Sequence, residues 1–344
     1  MSDGLCTGFT GVAWASEHLA GRLFAADPTA GRDVDEALLA SVSQAPWRGP
    51  YDLINGLVGI GLYAIERLPD ERAANCLVQI VDRLAELAVP AAEGVAWLSP
   101  PDLLPAYLRE AYPRGLYDLG LSHGAAGVVA LLGAACHAGV ARATAERLLA
   151  GAVPWLLARR LSAGGTARFA SYYHPDVAQP PARLAWCYGD LGIAAALHVA
   201  SRGAGREDWE REAVALAVAA AQRPQATSGV LDAGLCHGAA GAGHLFHRLY
   251  QESGDELLRA AADRWLRHAL ELRRPGTGVA GYRAWSSDLS GTLAWRDDPG
   301  LLEGAAGVAL ALLAAVSSVA PEWDRMLAIS LRPSLSPPAR APVP

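Results

Sequence analysis

The chain contains no lysine; all 29 basic residues among its 344 are arginine. Without a lysine there is no Walker ammonium for a nucleotide's phosphates and no amine for a Schiff base, so nucleotide-driven and pyridoxal chemistry fit poorly. Charge of either sign is sparse. Asp and Glu number 35, the formal net charge is −6, and no run of like charge occurs, which leaves no footprint for nucleic acid or for an acidic membrane surface. Acidic residues interrupt the chain too often for a bilayer span of about 20 apolar residues. No basic leader precedes the first apolar stretch, so a cytoplasmic protein without membrane insertion is expected. Only five cysteines are present (Cys6, Cys76, Cys136, Cys187 and Cys236), an odd and dispersed set unlike the dense framework of a small secreted domain. Reduced thiols are expected, some of them available to a metal.

What the chain does have is apolar content, 52 % of its residues, and 36 glycines. The glycines carry a repeat. A Gly-x-x-Gly step followed by an apolar, helix-like run occurs six times, with first glycines at 8, 56, 124, 189, 238 and 304. Successive steps stand 48 to 68 residues apart, room for a helical hairpin each time. Between them lie stretches with charge on one face, such as 71–87, 206–222 and 255–273, which read as outer, half-solvated helices. The Ala/Leu/Val runs after each step are apolar nearly all round and read as buried inner helices. The glycines themselves would allow a tight turn and close approach of neighbouring helices.

Uneven spacing and an apolar repeat almost at the N-terminus favour closure over an open solenoid. The expected fold is therefore all-α: a closed α/α toroid of six to seven hairpins with inner and outer helix rings. It would form one domain over residues 1–332, with a Pro-rich tail at 333–344. Residues 97–107 and 166–184 read as long Pro-bearing loops.

In a toroid the inner-helix N-termini converge at one end of the barrel. The residues just before the first glycines are Thr7, Asn55, His123, Tyr188, His237 and Glu303, and none is apolar. Helix capping alone would account for Thr7 and Asn55. Cys187, Cys236 and His237 are a sharper signal, because two thiolates and an imidazole at repeat-equivalent positions match a zinc site that keeps its fourth position open. Cys6, Cys76 and Cys136 read as small buried hydrophobes.

The combination of YDLINGLVGI (51–60), SHGAAG (122–127), RLAWCYGD (183–190) and LCHGAAG (235–241) resembles the lanthionine synthetase C-like family, the lantibiotic cyclases. The likeness runs over residues 5–330. It implies one zinc ion on Cys187, Cys236 and His237, with Asp52, His123, Arg183 and Tyr188 as further functional residues. It also implies addition of a peptide cysteine thiol to dehydroalanine or dehydrobutyrine, closing lanthionine or methyllanthionine rings in a bacterial cytoplasm. The partners it implies are a dehydrated precursor peptide, a separate dehydratase and an exporter. Two other readings use the same residues: addition of glutathione or another thiol to dehydroamino acids, and a non-catalytic peptide-binding scaffold. A carbohydrate enzyme built on Asp52 and Glu303 would leave the Cys₂His set unexplained. The family's toroid has seven hairpins, so one without the glycine signature is sought within 66–122, unless the barrel closes differently.

Overall fold

The computed structural model describes residues 2–27, 29–161, 166–287 and 291–333. Residues 334–344 of the expected tail lie outside the described residues. The first two hairpins run through α1 (Phe9–Leu19), α2 (Arg32–Val42), α3 (Leu57–Arg67) and α4 (Glu71–Leu87). After β1 (Ala88–Ala91), β2 (Gly94–Trp97), the short α5 (Ala106–Ala111) and β3 (Tyr117–Asp118), the chain enters α6 (Ala125–Ala138) and α7 (Arg142–Leu157). Next come β4 (Tyr172–Tyr173), α8 (Asp190–Ala204), α9 (Glu207–Ala221), α10 (Ala239–Ser253) and α11 (Glu256–Glu271). β5 (Ala284–Ser287), β6 (Leu293–Arg296), α12 (Ala305–Val316) and a 3₁₀ turn, Glu322–Leu327, complete the described elements.

All six glycine steps open an inner helix, and these stand side by side in the order α1, α3, α6, α8, α10, α12, the inner ring of an α/α toroid. α3 is buried along its whole length, and α6 and α8 nearly so. The amphipathic stretches form the outer layer. Asp70 caps α4 by accepting from the backbone N–H of Arg72 at 2.8 Å, and Asp255 caps α11 in the same way through Leu257. The strands form three antiparallel pairs, β1 with β2, β3 with β4 and β5 with β6. Of the two stretches that the sequence read as loops, they take only Trp97, Tyr172 and Tyr173.

The reason for the glycines differs from expectation. A Cβ on the second glycine of each step would meet the carbonyl oxygen six residues earlier: 2.2 Å at Gly59, 2.4 Å at Gly127, 2.1 Å at Gly192 and 1.8 Å at Gly241. The first glycines at 56 and 124 meet Pro50 and Asp118 carbonyls in the same way, at 2.1 and 2.2 Å. Each entry loop therefore folds over its own helix N-terminus. Close approach of two inner helices depends instead on Gly133 and Gly203, which bring the α6 and α8 backbones together.

Two further expectations change. No additional inner helix lies within 66–122, which holds α4, the β1–β2 hairpin and the six-residue α5. α12 is not buried all round either, because Leu313 and Val316 are 59 % and 84 % exposed. The segment after α12 ties the end of the ring to its beginning. Asp324 bonds His244 and Arg248 at 3.0 Å each, on α10. The next residue, Arg325, clamps Glu66 of α3 through two bonds of 2.7 and 3.0 Å, and Glu66 also bonds His18 of α1 at 3.0 Å. Leu327, Ala328 and Ile329 are buried beneath the ring, and Arg332 donates to the carbonyls that end α3.

Burial alone would raise the Glu66 carboxyl, but His18 and Arg325 together hold it at about 2, below the ordinary 4.5. The stability it contributes is thus complete above about pH 4.5 and is lost as pH falls toward about 2. Arg325→Ala should leave the buried Glu66 with His18 as its remaining partner and cost about 3–5 kcal/mol, measured as a lower denaturation midpoint at neutral pH. Glu66→Gln should flatten the acid limb of stability between those two pH values, followed by thermal unfolding.

Candidate metal centre

The loops that enter the inner helices are joined to one another around the ring. The Cys6 N–H donates to the Ile54 carbonyl (3.0 Å), Leu53 to Ser122 (3.1 Å), Leu121 to Cys187 (2.9 Å), Trp186 to Cys236 (3.0 Å) and Cys236 to Leu302 (2.7 Å). Leu5, Leu53, Leu121, Trp186 and Leu235 point into the core from the third position before five of the six first glycines and anchor their loops. With register fixed this way, Thr7 meets Asn55 and Cys187 meets Cys236 from equivalent positions of adjacent repeats. Residues 48 to 71 apart in sequence come into contact.

Between the loops of α8 and α10, the ligand atoms of Cys187, Cys236 and His237 lie within 4.8 Å of one another. His237 Nε2–H donates to the Trp285 carbonyl of β5 at 3.3 Å, and its Nδ1, buried, has no hydrogen-bond partner. That orphaned lone pair beside two thiols fits a metal ligand, since an imidazole is oriented for coordination by the bond on its other nitrogen. Asp232 supports the arrangement. Its Oδ1 accepts from the Gly234 N–H and its Oδ2 from the Trp285 N–H, 2.8 Å away, with His237 Nε2 at 3.9 Å. Cys187 is pushed below the ordinary thiol range by the bond from Cys236, and His237 and Arg183 act the same way. Cys236 is pushed up by its bond to Cys187 and by burial. Two thiolates and a neutral imidazole are the donors of a zinc centre with an open position. Cys236 is only half-buried, which opens the site on that side.

Arg183 stands next to this group. Its guanidinium makes no hydrogen bond or ion pair among the described residues, and its charge favours the thiolate at both Cys187 and Cys236. A pairing with Asp190 does not occur: Asp190 is buried and accepts from the Arg168 and Phe169 N–H groups.

A second cluster lies on the α3 and α6 side. His123 Nδ1 bonds Asp52 Oδ2 at 2.9 Å, while Asp52 Oδ1 accepts the Asn55 N–H at 2.7 Å. The imidazole is 40 % exposed, leaving Nε2 for the open side. Burial lowers the His123 pKa, but the bond and charge of Asp52, with Asp118 and Cys187 behind it, raise it above its ordinary value overall. The Tyr188 ring stands 6.5 Å from the imidazole, nearly parallel to it. Its hydroxyl bonds Asp118 Oδ2 at 3.2 Å. All seven predicted residues thus fall in two adjoining clusters, linked through Cys187–Tyr188.

Thr7 and Asn55 do not cap their helices; the caps are glycines, and Thr7 Oγ1 donates to Asn55 Oδ1 instead. Cys76 and Cys136 are buried in the core as small apolar groups, whereas Cys6 lies close enough to Asp52 to feel its charge, its thiol pushed up to about 12 by burial first. A separate cavity of about 450 Å³ at the far end of α8 and α10 carries Glu210, Arg248 and Glu252 and none of the residues above. Sequence reasoning missed Asp118, Asp232 and the Trp285 backbone. A signal existed for the first two, because an Asp-x-Gly stands six residues before the first glycine at 118, 232 and 298, each time with the carboxylate bonded to the glycine N–H.

The model of the lanthionine synthetase C-like protein family matches residues 1–328. Among solved structures, nisin cyclase is similar over 96 % of this chain and 80 % of its own, with a TM-score of 0.75 at 19 % identity. No curated protein matches the sequence.

Elemental analysis of the purified protein should find about one metal ion per chain, absent from Cys187→Ala and from Cys236→Ala. Asp232→Asn should weaken metal affinity about 10–100-fold, checked by competition with a chromophoric chelator, because it removes support behind a ligand rather than the ligand.

Proposed function

The chain belongs to the lanthionine synthetase C-like family, and on that premise we propose that it is a zinc-dependent cyclase that adds a peptide cysteine thiol to a dehydroalanine or dehydrobutyrine. The observation that carries the reading is the juxtaposition of the Cys187–Cys236–His237 group with the His123–Asp52 pair. The first is a set of soft donors for a metal, and the second is an oriented imidazole kept protonated above its ordinary range. Nisin cyclase, the structural neighbour, is by name a cyclase.

The reaction forms a C–S bond at Cβ, breaks the C=C π bond and delivers a proton to Cα. Zinc, if held by Cys187, Cys236 and His237, would supply a Lewis acid that keeps a substrate thiol deprotonated at neutral pH. Arg183, without a carboxylate partner among the described residues, adds positive charge where thiolate must be stabilised. As the thiolate attacks, electrons move onto the carbonyl oxygen of the dehydro residue. Tyr188 and Arg183 can donate to that oxyanion. His123 gives its proton to Cα, and Asp52 holds the ring through Nδ1 so that Nε2 faces the substrate. The thiol's own proton then returns the imidazole to its cationic form, and the balance closes without a co-reactant.

The substrate is a dehydrated peptide, so a separate dehydratase acts upstream and an exporter downstream. No described helix is long and apolar enough to cross a membrane. The same centre would serve addition of glutathione, and the products differ: ring closure leaves peptide mass unchanged and removes a thiol, whereas glutathione adds its own mass.

With a dehydrated cysteine-containing peptide, loss of alkylatable thiol at constant mass is expected, and a folded, zinc-loaded protein with no such loss would leave the scaffold reading. His123→Ala should lower kcat about 10²–10⁴-fold while retaining metal. The raised His123 pKa places the alkaline fall of kcat above the ordinary 6.5, and Asp52→Asn should move that fall to lower pH, read from the pH–rate profile.

A further inference from the structure

Asp118 is a carboxyl 5 % exposed in β3 that the reaction above does not use. Pairing with β4 sets it opposite Tyr172, whose ring meets the Tyr188 ring edge-on at 5.6 Å. Its Oδ1 accepts from the Gly120 N–H at 2.8 Å, and Gly124 leaves room for that oxygen, since a Cβ there would come within 2.4 Å of it. Its Oδ2 faces the Tyr188 hydroxyl at 3.2 Å. The related Asp232 spends the same oxygen on a backbone N–H, which has no choice of direction. A hydroxyl does have one: it donates to a carboxylate, but it can accept from a carboxylic acid and turn its own hydrogen elsewhere.

We infer that Asp118 is a positioning residue whose protonation state sets the direction of the Tyr188 O–H, with the acid form releasing that hydrogen toward the developing oxyanion. The inference rests on the thiol-addition reading. Burial pushes Asp118 up to about 7 despite the opposing pull of His123, the Gly120 N–H and Tyr188. The other groups that face it are Asp52 and Tyr51 from the loop before α3 and Tyr172 from β4. Below that pH the acid donates to the Tyr188 oxygen and the phenol O–H is free to turn to substrate. Above it the carboxylate captures the phenol hydrogen and the oxyanion loses a donor.

Asp118→Asn provides the test, because the Gly120 N–H pins the amide oxygen at the Oδ1 position and directs the NH₂ toward Tyr188. The variant is a permanent copy of the acid form. On the zinc-loaded protein, kcat of Asp118→Asn divided by that of the parent should rise with pH through neutrality, toward about 10²-fold on the alkaline side, the loss of one oxyanion donor. In a Tyr188→Phe background the same ratio should stay flat. Infrared difference spectra of the parent should show a protonated carboxyl band that titrates near neutrality and is missing from Asp118→Asn. A ratio below one at every pH, or a carboxyl ionised throughout, overturns the inference, and the parent spectrum decides it even if the variant misfolds. A titrating band in a protein that adds no thiol at any pH would fail the cyclase reading and leave the Asp118–Tyr188 switch standing.

Discussion

The backbone hydrogen bonds that join one entry loop to the next are the constraint on which the rest depends. Each inner helix could form from its own apolar run, but nothing within a helix says which loop residues of two repeats will meet. The bonds from Leu121 to Cys187, Trp186 to Cys236 and Cys236 to Leu302 fix that register to one residue. A one-residue slip would rotate Cys236 away from Cys187 and put a core leucine in its place. Glycine is needed because the loop making these bonds lies directly on the helix N-terminus, with carbonyl oxygens where a Cβ would be.

This register explains how a repeat built for packing carries chemistry at only part of its circumference. The position two before the first glycine holds Cys6, Ile54, Ser122, Cys187, Cys236 and Leu302 in turn. Only at α8 and α10 do adjacent repeats both offer thiols there, and only there does the next residue supply an imidazole with a free lone pair. On the α3 and α6 side His123, one residue before its glycine, meets Asp52, four residues before the adjacent one. Tyr188 belongs to the metal-side loop by sequence and to the other cluster by its hydroxyl, and it joins the two. Beneath the ring, the Trp186 indole donates to the Leu327 carbonyl at 2.9 Å, so the chain's closing segment supports the loop that carries Cys187.

The positions of the six inner helices, the amphipathic outer helices and all seven residues of the two clusters were legible in the sequence. Inner helices announce themselves by glycine steps and unbroken apolar runs, and the candidate metal donors stand out because Cys187, Cys236 and His237 sit directly before two of those steps. The short strand pairs were not legible. β3 and β4 are two residues each and are separated by more than 50 positions, too little pattern for a period-2 signal. The closing segment was equally hidden, because Asp324 and Arg325 are ordinary charged residues until α10 and α3 present buried partners to them.

By itself the sequence determined which residue types stand at the head of each inner helix, since that follows from a local repeat in which glycine spacing and hydrophobic periodicity agree. Tertiary structure alone decided which of those heads touch, which His237 nitrogen is left for a metal, and that Asp118 lies behind Tyr188. Those outcomes depend on contacts between chain segments tens of residues apart, where a carboxylate or an imidazole acquires its partner from loop register rather than from its neighbours in sequence. Arg183 shows the difference most simply: its charge is written in the sequence, while folding gives Asp190 two backbone N–H partners and leaves the guanidinium without a carboxylate among the described residues.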